Sequence, residues 1–206
     1  MWIDTHCHLD FEPLNNNIDR ELKLCYENRV NSIIVPSVKP ENINKDNPQL
    51  NVRLNDTNHQ PYRVILDTHL SIDLNAKILK QKKIILAFGN DPDGKLDTLQ
   101  KINIHCLKLP IHKNFIDLNR LMRELTNLEC NDILVESGPT LNGRLLEQNL
   151  IDELILYMAP IIMGGEANSI FNNPVLNSMQ EKIKLEQKDV RYFGDNLRLI
   201  MKVLQN

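Results

Sequence analysis

The chain has 206 residues, a formal net charge of −3 and a pI near 6.1. That length can bury a sizeable core in one domain, or in one domain with an appendage. No basic field points to nucleic acid, no apolar run approaches the length that spans a bilayer, and the opening MWIDTHCHLD lacks the basic start and apolar middle of a signal peptide. A soluble cytoplasmic protein is expected.

Trp2-Ile3-Asp4 is a short strand pattern, followed at once by Thr5-His6-Cys7-His8. Two histidines at i, i+2 after a strand can point to one side and share a metal; a pair of surface histidines is the plainer reading. A helix is expected over Ile18–Asn28 and a strand over Ser32–Pro36. From MWIDTHCHLDFEPL to PSVKPENI, the opening resembles the start of TatD-type metal-dependent deoxyribonucleases. The resemblance implies His6 and His8 as the first two metal ligands in a TIM-like barrel, and so a metal-dependent phosphoesterase as an alternative function. A catalytic zinc normally takes three protein ligands, and an eight-unit barrel needs roughly 250 residues. His59, His69, His105 and His112 do not lie in segments that look like the remaining TatD strands.

Asn44 to Arg53, NKDNPQLNVR, is a turn-rich loop, and Asp56–Pro61 is polar. Tyr62–Asp67 alternates and is β-branched, so it reads as a strand. Thr68 follows it, where a hydroxyl can also bond its own backbone. Ile84–Phe88 is a second buried strand, Asn90–Lys95 a turn and His105–Leu109 a third strand. Ile116 to Leu128 is an amphipathic helix with Leu118, Leu121, Met122 and Leu125 on one side. His112 and Cys106 read as structural. Cys7, Cys25, Cys106 and Cys130 show no CxxC spacing and read as reduced thiols.

The densest stretch runs from Asp132 to Gly165, DILVESGPTLNGRLLEQNLIDELILYMAPIIMGG. Ile133–Val135 is a strand ending on Glu136. Ser137-Gly138-Pro139-Thr140 is a tight turn. Leu141 to Leu150 is a helix with Leu141, Leu145, Leu146 and Leu150 on one face, and Glu153–Ala159 is a strand, giving a βαβ-type unit. A helix start offers unpaired N–H groups and a positive dipole end, which suits a phosphate. Gly138 permits close backbone approach and Pro139 suits the first helical turn. The plainer reading is only a good helix start after a buried strand. Past Gly164-Gly165, Ile170–Val175 is loop or a short helical turn. Ile183–Tyr192 and Leu197–Leu204 pair through a Gly194-Asp195-Asn196 hairpin turn.

VESGPTLNGRLLEQNLIDELILYMAPIIMGG resembles the C-terminal reductase domain of the bifunctional riboflavin-biosynthesis deaminase–reductase. That resemblance implies NADPH as cofactor, 5-amino-6-(5-phosphoribosylamino)uracil as substrate and a dihydrofolate-reductase-like α/β fold, a mixed sheet flanked by helices. It implies that Gly138, Pro139, Thr140, Leu141, Asn142, Gly143 and Arg144 form the turn and helix start that hold the cofactor's diphosphate, and that Glu136 binds substrate. The loop at 44–53 is similar to the family's DDPxLxVR segment, with Asn47 where a second Asp is usual. This implies Asp46 and Thr68 at the cofactor, and Leu50 and Arg53 at the substrate. The closing hairpin implies a homodimer.

The family's first strand, with its KxAxSLDG-like sequence, and the Trp-containing segment after it have no counterpart here; their place is taken by the nuclease-like opening. Loss of a central strand exposes edges on its neighbours, and the opening's strand, helix and strand are an atypical N-terminal βαβ segment that could fill the places. The expected organisation is a nuclease-like fragment over 1–43 and a reductase-like domain over 44–206, with a fusion or truncation product preferred to structural replacement. A non-catalytic dimerising remnant is the third reading.

Overall fold

The computed structural model describes residues 2–4, 32–36, 60–162, 169–172 and 178–204. The chain divides into two units, Asn17–Ile133 on one side and Met1–Asn16 with Leu134–Asn206 on the other. The expected helix over Ile18–Asn28 lies outside the described residues.

The unit Asn17–Ile133 is built on four parallel strands in the order β2 (Ser32–Pro36), β3 (Tyr62–Leu66), β4 (Ile84–Phe88) and β5 (His105–Lys108). Val64 pairs with Ile34 and Ile85, and Leu86 with Cys106. All of β4 is buried, and so is β3 beyond Tyr62. Near-continuous apolar runs of this kind belong to strands covered on both faces. The helix α1 (Leu96–Lys101) buries Leu99, and α2 (Leu118–Asn127) buries Leu118, Leu121 and Leu125. Each fully buried leucine contributes roughly 1.5–3 kcal/mol. Asp117 caps α2 by accepting from the Arg120 amide at 2.9 Å.

Two charged residues interrupt this core. Arg63 in β3 is only 1% exposed. Its guanidinium donates to the Lys82 carbonyl at 2.9 Å and to Gln60 Oε1 at 2.7 Å. Burial pulls it below its ordinary pKa, and these bonds compensate the desolvation. Asp67, at the end of β3, is also buried; it accepts from Ser71 Oγ at 2.8 Å and from the Ile72 amide at 2.7 Å. The strand expected over Tyr62–Asp67 therefore ends one residue sooner, where Asp67 folds the chain into a turn.

The second unit is a mixed sheet in the order β10 (Lys184–Phe193), β11 (Asn196–Leu204), β9 (Glu153–Met158), β1 (Trp2–Asp4), β8 (Ile133–Glu136). The strands β8 and β9 are joined by α3 (Pro139–Glu147) and are not neighbours. β1 lies between them, parallel to both, with Ile3 opposite Val135 and Leu154. The expected βαβ unit is thus a crossover that straddles a strand from the chain's opening. The two remaining pairings, β9 with β11 and β10 with β11, are antiparallel. The hairpin between β10 and β11 turns on Gly194 at φ 57°, as expected of a two-residue loop.

Three features were not legible beforehand. β6 (Ile111–His112) and β7 (Phe115–Ile116) form a small hairpin whose turn residues Lys113 and Asn114 both have positive φ, 50° and 65°. Next, α2 begins at Leu118 rather than Ile116, because β7 takes the first two residues. Last, each α-helix among the described residues stops on a left-handed residue that is not glycine: Asn103 at φ 61°, Glu129 at φ 61° and Asn149 at φ 54°. The following amides bond back to the helix, Ile104 to Leu99, Cys130 to Leu125 and Leu150 to Leu145, closing Schellman motifs. That is why the helix expected to reach Leu150 ends at Glu147.

A bulge between Gln187 and Asp189 shifts the register of β10. It seats Asp189 beside Arg198, which is 7% exposed, at 3.0 Å, and beside Arg191 at 2.9 Å. Arg198 also lies over the Phe193 ring at 5.0 Å. The hydrogen bond from Arg198, followed by that from Arg191, holds the Asp189 carboxyl below its usual range. A depressed folded pKa stabilises above the unfolded pKa, about 3.9, and that contribution is lost as pH falls through the folded value. Denaturation midpoints are therefore expected to drop as pH falls below about 4, and Asp189→Asn to flatten that part of the profile. An unchanged acid limb in Asp189→Asn would contradict the pairing.

Candidate functional site

The site builds outward from the turn between β8 and α3. Val135 is fully buried and Ser137 is 6% exposed, so the strand delivers the chain to the turn along a fixed path. Gly138 is the N-cap of α3, with φ −78° and ψ 171°, and Pro139 follows in the first helical turn. The first bond within the helix is from the Asn142 amide to the Gly138 carbonyl, 3.2 Å. Proline has no N–H, so the amides ahead of that bond are those of Thr140 and Leu141. No side chain caps this start among the described residues. The helix dipole adds positive potential at the same place.

Gly138 is informative because the chain itself does not require glycine there. Its φ is open to any residue, and an added Cβ would meet nothing within 4 Å. Gly94 and Gly194, by contrast, sit at φ 67° and 57°, where glycine relieves strain. Amides that no side chain caps among the described residues, beside open space at the Gly138 α-carbon, fit a phosphate group that comes close to the backbone.

The turn is braced from inside. Asn142 is 1% exposed. Its Nδ2 donates to the Ser137 carbonyl at 3.2 Å and to the Ile170 carbonyl at 3.1 Å, and its Oδ1 accepts from Ser137 Oγ. The Asn172 amide donates to the Pro139 carbonyl at 2.9 Å, and Ser169 Oγ donates to Asn172 Oδ1 at 2.9 Å. Residues 169–172 are thereby fastened to the helix start.

Of the residues implied by resemblance, the structure gathers Glu136, Gly138, Pro139, Thr140, Leu141, Asn142, Gly143 and Arg144 around this one turn. Leu141, Asn142 and Gly143 are buried, so the partly exposed residues of the corner are Gly138, Pro139 and Thr140, with Arg144 one turn along the helix. Glu136 closes β8, opposite Asp4 of β1. Thr68 lies in the other unit, just past β3, where its carbonyl accepts from the Gly89 and Asn90 amides at 3.1 and 3.0 Å. Beside it, His69 Nδ1 and Asn90 Oδ1 are 2.6 Å apart. Asp46, Leu50, Arg53, His6 and His8 lie outside the described residues. Among the described residues no group of three or more His, Cys, Asp or Glu converges as metal ligands, and no helix is long and apolar enough to cross a membrane. His112 does take a partner, Asp117 at 3.7 Å. Burial, and then the charge of Asp91, push the Cys106 thiol up.

Residues 25–199 match the family described as the RibD C-terminal domain. The chain is 31% identical over 152 residues to the riboflavin biosynthesis protein RibD of Escherichia coli K12, covering 74% of this chain and 39% of that protein. It is 31% identical over 171 residues to the 5-amino-6-(5-phosphoribosylamino)uracil reductase of Buchnera aphidicola subsp. Acyrthosiphon pisum, covering 76% of this chain and 80% of that one. A solved structure of Acinetobacter baumannii RibD superposes with a TM-score of 0.72 at 27% identity, over 90% of this chain and 50% of that one. The chain thus spans about two-fifths of the length of the Escherichia coli relative. It belongs to the RibD C-terminal domain family, and its fold is the dihydrofolate-reductase-like α/β fold of those reductase domains. The match begins at residue 25, so residues 25–43 lie within the matched span, and the comparisons do not show the nuclease-like fragment expected over 1–43.

Proposed function

We propose that this member of the RibD C-terminal domain family reduces 5-amino-6-(5-phosphoribosylamino)uracil with NADPH to the ribitylamino product of riboflavin biosynthesis, as a cytoplasmic enzyme. The observation that carries this reading is the uncapped start of α3 beside a glycine with open space over its α-carbon. The Thr140 and Leu141 amides hold the cofactor's diphosphate, and Gly138 lets it approach. When bound, NADPH supplies the hydride that converts C1′ of the ring-opened ribosylamine to the ribityl carbon. The chain's own work is placement, since hydride transfer needs little from side chains beyond aligning donor and acceptor. Asp46 and Thr68 add contacts to the cofactor. Arg53 offers its fork of donors to the ribose phosphate, Leu50 packs against the substrate, and Glu136 takes a ribose hydroxyl or amine. Strand β1, from the opening 43 residues, serves as an inner strand of the sheet that carries the turn, which supports a competent domain over a remnant.

The reading includes a homodimer. By register, Leu185, Val190 and Tyr192 of β10 share one face with Leu197, Leu199 and Val203 of β11 and with Met158 of β9. The bulge is what keeps Val190 and Tyr192 on the face of Leu185. Tyr192 is 78% exposed and Met158 55%. An apolar sheet face of this kind suits a second copy.

Purified chain, NADPH and the deaminated pyrimidine are expected to show substrate-dependent loss of the reduced-nicotinamide absorbance. Gly138→Val is expected to fold with stability within about 1 kcal/mol of the parent and to raise the KM for NADPH at least tenfold, roughly 1.4 kcal/mol. A parent chain that neither binds nor consumes NADPH sinks the redox reading. Sedimentation velocity tests the dimer: Tyr192→Lys is expected to sediment as a monomer where the parent sediments as a dimer, and a monomeric parent refutes it.

A further inference from the structure

Asn142 is not needed to start the helix. It sits in the first full turn of α3, where an asparagine side chain ordinarily faces solvent or weakens the helix. Here it is 1% exposed, and both hydrogens of its amide are used, one on the Ser137 carbonyl and one on the Ile170 carbonyl. Its Oδ1 accepts from Ser137 Oγ. The bond to Ser137 has a geometric consequence. In a trans peptide the carbonyl and the following N–H point in opposite directions. A Ser137 carbonyl turned to Asn142 therefore turns the Gly138 N–H to the opposite side, away from that buried carboxamide. Proline at 139 leaves a gap in the row of amides, so the Gly138 N–H is the one that extends the row formed by Thr140 and Leu141.

We infer that Asn142 is a positioning residue for cofactor binding: it touches no cofactor atom, but by holding the Ser137 carbonyl it aims the Gly138 N–H at the cofactor's diphosphate. The inference rests on the reading that NADPH binds at this turn. The second bond, to Ile170, ties the same side chain to residues 169–172, whose Asn172 amide donates to Pro139. One buried carboxamide thus holds the turn and fastens residues 169–172 to it.

The test is steady-state kinetics and NADPH titration on the full chain with Asn142→Ala, Asn142→Asp and Ser137→Ala. Asn142→Asp is nearly isosteric but places a carboxylate against two carbonyl oxygens and donates to neither. Both Asn142 variants are expected to raise the KM and Kd for NADPH about tenfold, the loss of one hydrogen bond to a charged group. The KM for the pyrimidine and kcat are expected to stay within about twofold. Ser137→Ala removes only the hydroxyl and leaves Nδ2 on the Ser137 carbonyl, so NADPH affinity is expected within about twofold of the parent. A folded Asn142 variant with parental NADPH affinity overturns the inference. So does a Ser137→Ala variant that loses tenfold, which is decisive if neither Asn142 variant folds. A parent chain that fails to bind NADPH counts against the proposed function instead, before Asn142 is reached.

Discussion

Backbone amides at a helix start that no side chain caps among the described residues are the constraint on which this site depends. A helix leaves its first N–H groups unpaired, and most chains satisfy them with a serine, threonine, aspartate or asparagine cap. The two other α-helices among the described residues follow that custom in part: Asp117 caps α2, and Asp91 accepts from the Lys95 and Leu96 amides at the head of α1. At α3 the cap position is Gly138 and no side chain serves among the described residues. The helix dipole adds positive potential at the same place. The neighbouring residues hold the turn in place, with Val135 and Leu141 anchoring it in the core and Asn142 holding it from within.

The sheet that carries this turn depends on a strand from the far end of the sequence. β1 is three residues long, yet it lies between β8 and β9 and pairs with both. Without it the two strands joined by α3 would face each other across a vacant strand position, with unpaired edges. The structure uses Trp2–Asp4 as an inner strand of the sheet. A fusion or truncation reading treats those residues as foreign to the fold, whereas their pairing gives them a place in it. Short apolar strands are interchangeable to a sheet so long as their backbone groups can join the ladder.

Much of the architecture was legible because its signals are local. The buried runs of β3 and β4, the leucine stripe of α2 and the glycine turn of the β10–β11 hairpin each announce themselves within a few residues. The β6–β7 hairpin did not, because Lys113 and Asn114 adopt the left-handed turn without glycine. The ends of α2 and α3 were overrun for the same reason, since Glu129 and Asn149 close Schellman motifs where glycine is the usual sign. At the site, sequence drew attention to residues 138–144 as one set. It could not separate amides that face outward from side chains that face the core, so Leu141 and Asn142 stood beside Gly138 as equals. Asn142 reaches back five residues to Ser137 and forward to Ile170, 28 residues on. Such bonds belong to tertiary structure and leave no periodic trace.

The central claim, that the amides at the head of α3 receive the phosphates of a dinucleotide, is most directly tested by amide chemical shifts of the isotopically labelled chain during titration with NADPH. The account predicts saturable shifts at Gly138, Thr140 and Leu141, with the hairpin glycine Gly194 and the turn glycine Gly94 unmoved. Saturation of binding with those three amides unperturbed, and the largest shifts elsewhere, would contradict it.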